Sequence, residues 1–154
     1  MGHFDESICD CCVCPMQCVL EQLVGIDNIG IVTPTFADDG IIINQVKDFI
    51  AFTNRGNFPI CQISSVSNDN SIIPVIKQSI KQSKGVCSCC EDPITNLAKS
   101  MIGKNVNIEL ISPTGVSFFD EIIVVGEGII VGRFPLNFDV IEIFSSCAVT
   151  RISN

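Results

Sequence analysis

Short runs of apolar residues alternate with turn-forming residues along most of the chain, and this pattern predicts ten short β-strands. The runs are rich in Ile and Val, and they are bounded by turn chemistry such as Asp38-Asp39-Gly40 and Gly126-Glu127-Gly128. The predicted strands cover residues 28–33, 40–46, 49–53, 58–62 and 63–67 in the first half and 105–111, 117–125, 128–134, 139–145 and 147–152 in the second.

Two segments instead repeat their apolar residues at three- and four-residue spacing, which is typical of a helix with one buried face. We expect these helices to begin at Pro15 and Pro93, where a missing N–H costs nothing, and to stop at Gly25 and Gly103. The apolar stripes consist of Leu20, Leu23 and Val24 in the first helix and of Leu97, Met101 and Ile102 in the second.

The two halves form a tandem repeat. The cysteine-rich segment before Pro15 aligns without a gap on the segment before Pro93, and the isolated Cys61 aligns on Cys147 after short insertions in the second copy. A short helix followed by five short strands closes most economically as a small, strongly bent barrel. We therefore predict a mainly β protein with a tandem duplication of a small five-stranded β-barrel, each preceded by a short α-helix. The predicted organisation is a flexible cysteine-rich segment (1–14), a first helix and barrel (15–67), a connector (68–86), and a second cysteine cluster, helix and barrel (87–154).

The charge of the chain argues against two classes of partner. Nine basic residues against seventeen acidic ones give a formal net charge of −8, and an acidic surface repels nucleic acid and anionic membranes. No run of about 18 apolar residues is present to span a bilayer. The first seven residues also lack the basic and apolar regions of a secretion signal, so we expect synthesis in a cytosol.

The ten cysteines are unusual for a protein made in a reducing compartment, where such a count indicates metal or redox chemistry. Neighbouring cysteines cannot all pair with one another, because a disulfide requires Cα atoms about 4.4 to 6.8 Å apart. One hypothesis is therefore covalent crosslinking to other segments or chains. The residues concerned are Cys9, Cys11, Cys12, Cys14, Cys18, Cys61, Cys87, Cys89, Cys90 and Cys147.

Two alternatives remain open for the cysteines. The C-x-x-C spacings of Cys9 with Cys12 and of Cys87 with Cys90 suit zinc or copper in a cytosolic metal-binding or regulatory module. Cys61 and Cys147 lie in strand patterns, where buried free thiols behave as small hydrophobic side chains.

Catalysis has little support in the sequence, so we predict neither an enzyme nor a cofactor. The single histidine, His3, lies in the predicted tail, and acid–base and nucleophilic mechanisms lean on histidine. The acidic pairs Asp38-Asp39 and Asp120-Glu121, together with Asp48, lack the spacing of a calcium loop. We interpret them as solvated turns.

The order of motifs resembles a known group of small barrels. Leu23-Val24-Gly25, a strand, an acidic turn, the run from Val46 to Phe52 and then Pro59-Ile60-Cys61 resemble the Sm-like barrels of short spore proteins from Bacillus-type bacteria. The cysteine clusters resemble those of spore coat, exosporium and spore-appendage proteins.

The resemblance implies a self-assembling structural protein that forms a disulfide-crosslinked fibre or lattice. It also implies synthesis in the mother-cell cytoplasm without a signal peptide, oxidation when that cell lyses, and a final location at the spore surface. The expected partners are further copies of the chain and other cysteine-rich spore-surface proteins.

Overall fold

The computed structural model describes residues 13–69, 88–115, 117–126, 128–137 and 140–154. The side chains of residues 13–15, 69 and 88–93 are not part of that description. The expectations for the N-terminal segment up to residue 12 and for most of the connector therefore lie outside the described residues.

The chain is mainly β, as predicted. The first half contains α1 (Val13–Gln22), β1 (Ile29–Val32), β2 (Ala37–Ile41), β3 (Ile43–Lys47), β4 (Ile50–Thr53), β5 (Gly56–Pro59), a 3₁₀ helix η1 (Ile60–Gln62) and β6 (Ser65–Asp69). The second half contains α2 (Ser88–Lys99), β7 (Asn105–Leu110), β8 (Ser117–Gly126), β9 (Ile129–Arg133), β10 (Val140–Ser145), η2 (Ser146–Ala148) and β11 (Val149–Ser153).

The strands form two open antiparallel sheets. The larger has the order β11-β7-β8-β9-β10-β6-β1-β2, and the smaller has the order β3-β4-β5. In each half the last strand lies beside the first, since β6 pairs with β1 and β11 pairs with β7. Hydrogen bonding between the described strands does not close a barrel in either half, because β10 pairs with β6 of the other half.

Both helices begin earlier than the prolines predict. Pro15 is the third residue of α1, within the first turn, where N–H groups have no partner inside the helix. Pro93 is the sixth residue of α2, so the expectation that a proline opens each helix is wrong. The predicted stops are closer: Gly25 and Gly103 have positive φ angles of 79° and 82°, just after the last turn.

The two helices differ in how much they bury. Met16, Val19, Leu20 and Leu23 of the first helical segment are at most 1% exposed, whereas Val24 is exposed. Among the described side chains of α2, Thr95 and Ala98 are buried, and the apolar stripe predicted there is largely outside the core. Leu97 is 40% exposed, Ile102 is 50% exposed and Met101 is half-buried.

Two apolar cores lie on opposite faces of the strands that join the halves. The second core is built from the second half alone, around Ile108, Ile122 and Phe144. The first core combines α1 and the strands of the first half with side chains from β9 and β10. These contributions of the second half to the first core are Ile129, Val131, Ile141 and Ile143.

Candidate assembly site

One strand pair joins the two halves. β6 and β10 run antiparallel over five residue pairs, from Val140 opposite Asp69 to Phe144 opposite Ser65. The pairing continues past the strands, because the Ser145 N–H donates to the Ser64 carbonyl at 2.9 Å. The two copies therefore share one continuous sheet, and we call this contact the internal junction.

At the internal junction, β10 places buried apolar side chains on both of its faces. Ile141 and Ile143 point into the first core, and Phe144 points into the second, where its ring lies 5.5 Å from that of Phe118. All three side chains of β10 are fully buried. A two-faced apolar strand of this kind is typical of the middle of a sheet, and the sequence pattern alone predicts only that it is a strand.

A bend in the chain separates the two sheets. Only Ile42 lies between β2 and β3, and the Asn54 side chain occupies the gap: its Oδ1 accepts from the Ile42 N–H at 2.9 Å, and its Nδ2 donates to the Gly40 carbonyl at 3.4 Å. β2 and β3 thus form one bent strand that passes from the larger sheet to the smaller. Following the strands in order through this bend, the series ends at β5 on one side and at β11 on the other.

These two end strands correspond to the strands of the internal junction. β5 and β10 both lead into a 3₁₀ helix that contains an isolated cysteine, and β6 and β11 both follow it. β5 differs from β10 at one position that affects strand pairing: Pro59 stands where the second copy has Ser145. Proline has no N–H, so β5 lacks the donor that Ser145 contributes to the internal junction.

The structure places three of the ten predicted crosslinking residues with their side chains. Cys18 is a half-buried free thiol in α1, and Cys61 is an exposed free thiol in η1. Cys147 is exposed in η2 and is disulfide-bonded, to a cysteine other than these two. The alternative in which Cys61 and Cys147 are buried free thiols is wrong, because a 3₁₀ turn replaces the predicted strand and turns both side chains outward.

Cys61 and Cys147 lie at the same place in the molecule. A cavity of about 130 Å³ is lined by both residues, together with Ile60, Ser64 and Ile111. Ser64 also links the copies there, since its hydroxyl donates to the Ile111 carbonyl at 2.6 Å. The two repeated cysteines therefore flank the internal junction, an arrangement that their spacing in sequence does not reveal.

The remaining cysteines are known only in part. Cys14 belongs to α1, and Cys89 and Cys90 belong to the start of α2, but their side chains are outside the described set. The other four, Cys9, Cys11, Cys12 and Cys87, lie outside the described residues altogether. The possible metal ligands Cys9, Cys12, Cys87 and Cys90 consequently remain a prediction.

The acidic residues divide into two kinds. Asp38, Asp39 and Asp48 are exposed, as the interpretation of solvated turns requires, but Asp38 and Asp39 lie in β2 and not in a turn. Asp38 forms an ion pair with Arg55, and the Asp39 N–H, followed by the Arg55 side chain, lowers its pKa. Asp120 contradicts that interpretation, since it lies within β8 and is 1% exposed.

Asp120 forms a carboxyl pair with Glu142 that sequence reasoning missed. Glu142 lies on β10, opposite Gly132 of β9, and Asp120 reaches over the same glycine from β8. Burial raises the pKa of Asp120 to about 6, against the lowering effect of a hydrogen bond from Glu142. Burial, and then the charge of Asp120, raises the pKa of Glu142 to about 9. The one available signal was Gly132, since an isolated glycine inside a strand often marks a close approach.

Among the described residues, no group of three or more His, Cys, Asp or Glu side chains is placed to hold a metal ion. The described helices also include none that is long and apolar enough to cross a membrane. No protein-family model, curated protein sequence or solved structure matches the chain.

Proposed function

We propose that the chain is a self-assembling structural protein of bacterial spore outer layers or appendages, and that it forms a disulfide-crosslinked fibre or lattice. One observation carries the proposal: the two strands at the ends of the sheet series, β5 and β11, are the counterparts of β10 and β6, which already pair inside the chain. The same contact, made between molecules, would join copies head to tail. Head-to-tail contacts that do not close into a ring produce filaments.

The finer fold belongs to the same proposal. We assign each copy to the Sm-like small barrels, as a curved sheet whose strands are not hydrogen-bonded all the way round. Four features support the assignment: a leading helix, a second strand that is bent in the first copy, a 3₁₀ turn before the last strand, and a last strand beside the first.

The internal junction predicts the register of the contact between molecules. Within the chain Phe144 lies opposite Ser65 and Glu142 lies opposite Ser67. Cys61 and Cys147 align the two copies, and the same alignment gives the pairs expected between β5 of one molecule and β11 of the next. Phe58 should lie opposite Arg151 of the next molecule, and Gly56 opposite its Ser153. Asn57 then lies opposite Ile152, in the place that Ile143 occupies opposite Val66.

Main-chain pairing at this contact is weaker than at the internal junction. β5 has four residues against six in β10, and Pro59 lacks the N–H that Ser145 donates. Short edge strands and prolines limit uncontrolled association of sheets. A weak contact of this kind suits reversible assembly that a covalent bond then makes permanent.

Disulfide bonds supply that covalent bond in the proposal. Cys61 is a free, exposed thiol one residue beyond Ile60, close to the end of β5. Cys18 is a second free thiol, and the clusters around Cys9 to Cys14 and Cys87 to Cys90 provide further sulfur atoms. The location at the spore surface, and other cysteine-rich spore-surface proteins as partners, rest on the resemblance of these clusters alone.

The test separates strand pairing from crosslinking. Under reducing conditions, light scattering should show that the wild-type protein associates as its concentration rises. Asn57→Pro, which removes an outward N–H from β5, should stay monomeric, and the matched control Asn57→Ala should associate like the wild type. Pro59→Ser should associate more strongly, because it restores the N–H that Ser145 supplies in the second copy.

Oxidised protein should then show large species in detergent that collapse to 16.7 kDa chains only with a thiol reductant. Electron microscopy should show fibres or sheets. A wild-type protein that is monomeric in both redox states, or an Asn57→Pro variant that assembles normally, would contradict the proposal.

A further inference from the structure

The environment of Asp120 and Glu142 leaves three carboxyl oxygens without an ordinary donor. Both oxygens of Asp120 and the Oε2 atom of Glu142 are buried, and no N–H or hydroxyl donates to them among the described residues. Buried polar atoms almost always have a hydrogen-bond partner. The partner within reach is the other carboxyl group, which can donate only if it carries a proton.

The backbone around the pair is shaped for this contact. Gly132 lies between the two carboxyl-bearing strands, and a Cβ there would overlap Asp120 Oδ2 and come within 2.9 Å of Asp120 Cβ. The glycine therefore opens the space in which side chains from β8 and β10 meet across β9. On the far side of Glu142, Ser67 of the first copy lies opposite it across the internal junction.

No nearby cation in the described structure neutralises the pair. Arg133 follows Gly132 on β9, but alternation along a strand directs its side chain to the other face, where its guanidinium binds Glu121 at 2.8 Å. Beyond Ser67 and Gly30, the next charged groups are Asp38 and Asp39 of β2. They line a cavity of about 560 Å³ together with Glu142, and Asp38 is paired there with Arg55.

We propose that Asp120 and Glu142 share a single proton at neutral pH, and that this proton holds β10 in place. The pairing of β10 with β6 at the internal junction is then more stable at acidic than at alkaline pH. The protonated carboxyl donates to the ionised one, which gives one oxygen of each group a partner and leaves one negative charge in the pair. Loss of the proton places two carboxylates side by side in a largely buried site, which is unfavourable because the charges repel and are poorly solvated.

The pKa values agree with this geometry, since about 6 for Asp120 and about 9 for Glu142 leave one proton on the pair between these limits. In the unfolded chain both groups lose their protons near pH 4. Between roughly pH 4 and pH 9 the folded protein therefore holds more protons than the unfolded one, and its stability falls as the pH rises through this range.

Two variants test whether the shared proton stabilises the internal junction. In Glu142→Gln the amide donates to Asp120 in place of the shared proton, so the decline of Tm between pH 6 and pH 9 should flatten and Tm at pH 9 should exceed that of the wild type. Asp120→Asn should have the same effect, because its amide donates to the Glu142 carboxylate. Glu109→Gln is the matched control, because Glu109 is a β7 surface carboxylate bound to Arg151, and it should leave the slope unchanged.

Two further measurements locate the proton and its effect. Carbon-13 NMR of the side-chain carboxyls in the wild-type protein should show one of the pair protonated at pH 7. Hydrogen exchange at the β6 amides should be faster in the wild type than in Glu142→Gln at pH 9 and equal at pH 5, with no such change at β11. The proposal fails if both carboxyls are ionised at pH 7, if the variants keep the wild-type slope, or if calcium or magnesium shifts both carboxyl signals.

Discussion

The two copies differ most at their second strand. In the second copy β8 runs without interruption for ten residues, whereas in the first copy the same stretch is divided at Ile42 into β2 and β3. The Asn54 side chain forms hydrogen bonds with the main chain of Ile42, at the division, and of Gly40, just before it. The comparison teaches that the same stretch of a repeat can remain in one sheet or pass between two, and that in the first copy the Asn54 side chain bonds to the main chain where it divides.

The copies also differ in how far each depends on the other. The first core includes four side chains from β9 and β10, whereas the second core contains residues of its own copy only. The internal junction is therefore not a simple contact between two finished domains. We expect the first copy to need the second for its stability, and the reverse dependence to be weaker.

The largest expected effect on stability comes from substitutions that test this dependence at β10. Ile143→Ala and Ile122→Ala each remove a fully buried isoleucine of the second copy, at a cost of about 2–5 kcal/mol in the free energy of unfolding. Ile143 faces the first core, so its loss should speed hydrogen exchange in β1, whereas the loss of Ile122 should not. Equal effects of the two variants on β1 would show that the cores are not separate.

A smaller effect distinguishes the two glycines inside strands. Gly132→Ala places a methyl group against the Cβ of Asp120, which is buried and cannot move, so we expect a cost of about 1–3 kcal/mol. Gly30→Ala meets only the ends of the Ser67 and Asp39 side chains, and Asp39 is exposed and can turn away. Urea unfolding should rank Gly132→Ala clearly above Gly30→Ala, and the opposite ranking would contradict the tight carboxyl pair.

The smallest effect concerns the bend itself. Asn54→Ala removes the acceptor of the Ile42 N–H and the longer bond to the Gly40 carbonyl, and it should cost about 0.5–1.5 kcal/mol because both bonds are exposed to water. Asn57→Ala is a suitable control, because that side chain is exposed on the neighbouring strand β5. Urea unfolding of the two variants compares them directly. If both cost the same, the Asn54 side chain does not maintain the bend.

Much of the local structure follows from the residue pattern. The Ile- and Val-rich runs become strands, and Gly25 and Gly103 adopt the positive φ angles expected after a helix. The 3₁₀ helices are missed because Ile60-Cys61-Gln62 is as apolar as the strand before it. The alternative of buried thiols at Cys61 and Cys147 fails for the same reason, since a strand pattern predicts side chains that are buried on one face.

The candidate assembly site is predictable only in outline. Sequence reasoning predicted that the cysteines crosslink the assembly, and it aligned Cys61 with Cys147. It did not predict that both lie at one cavity, or that β5 and β11 end the strand series. Those facts depend on which strands pair across the two copies.

The order of residues along this chain is enough to establish the repeat, the type of most elements and the excess of negative charge, because these depend on near neighbours and on composition. Which strand lies beside β10, which core each face of β10 enters, and which carboxyl groups meet over Gly132 are settled by contacts between residues far apart in sequence. The alternation of apolar and polar residues predicts that a strand has two different faces, but only the packing of the folded chain determines what each face contacts.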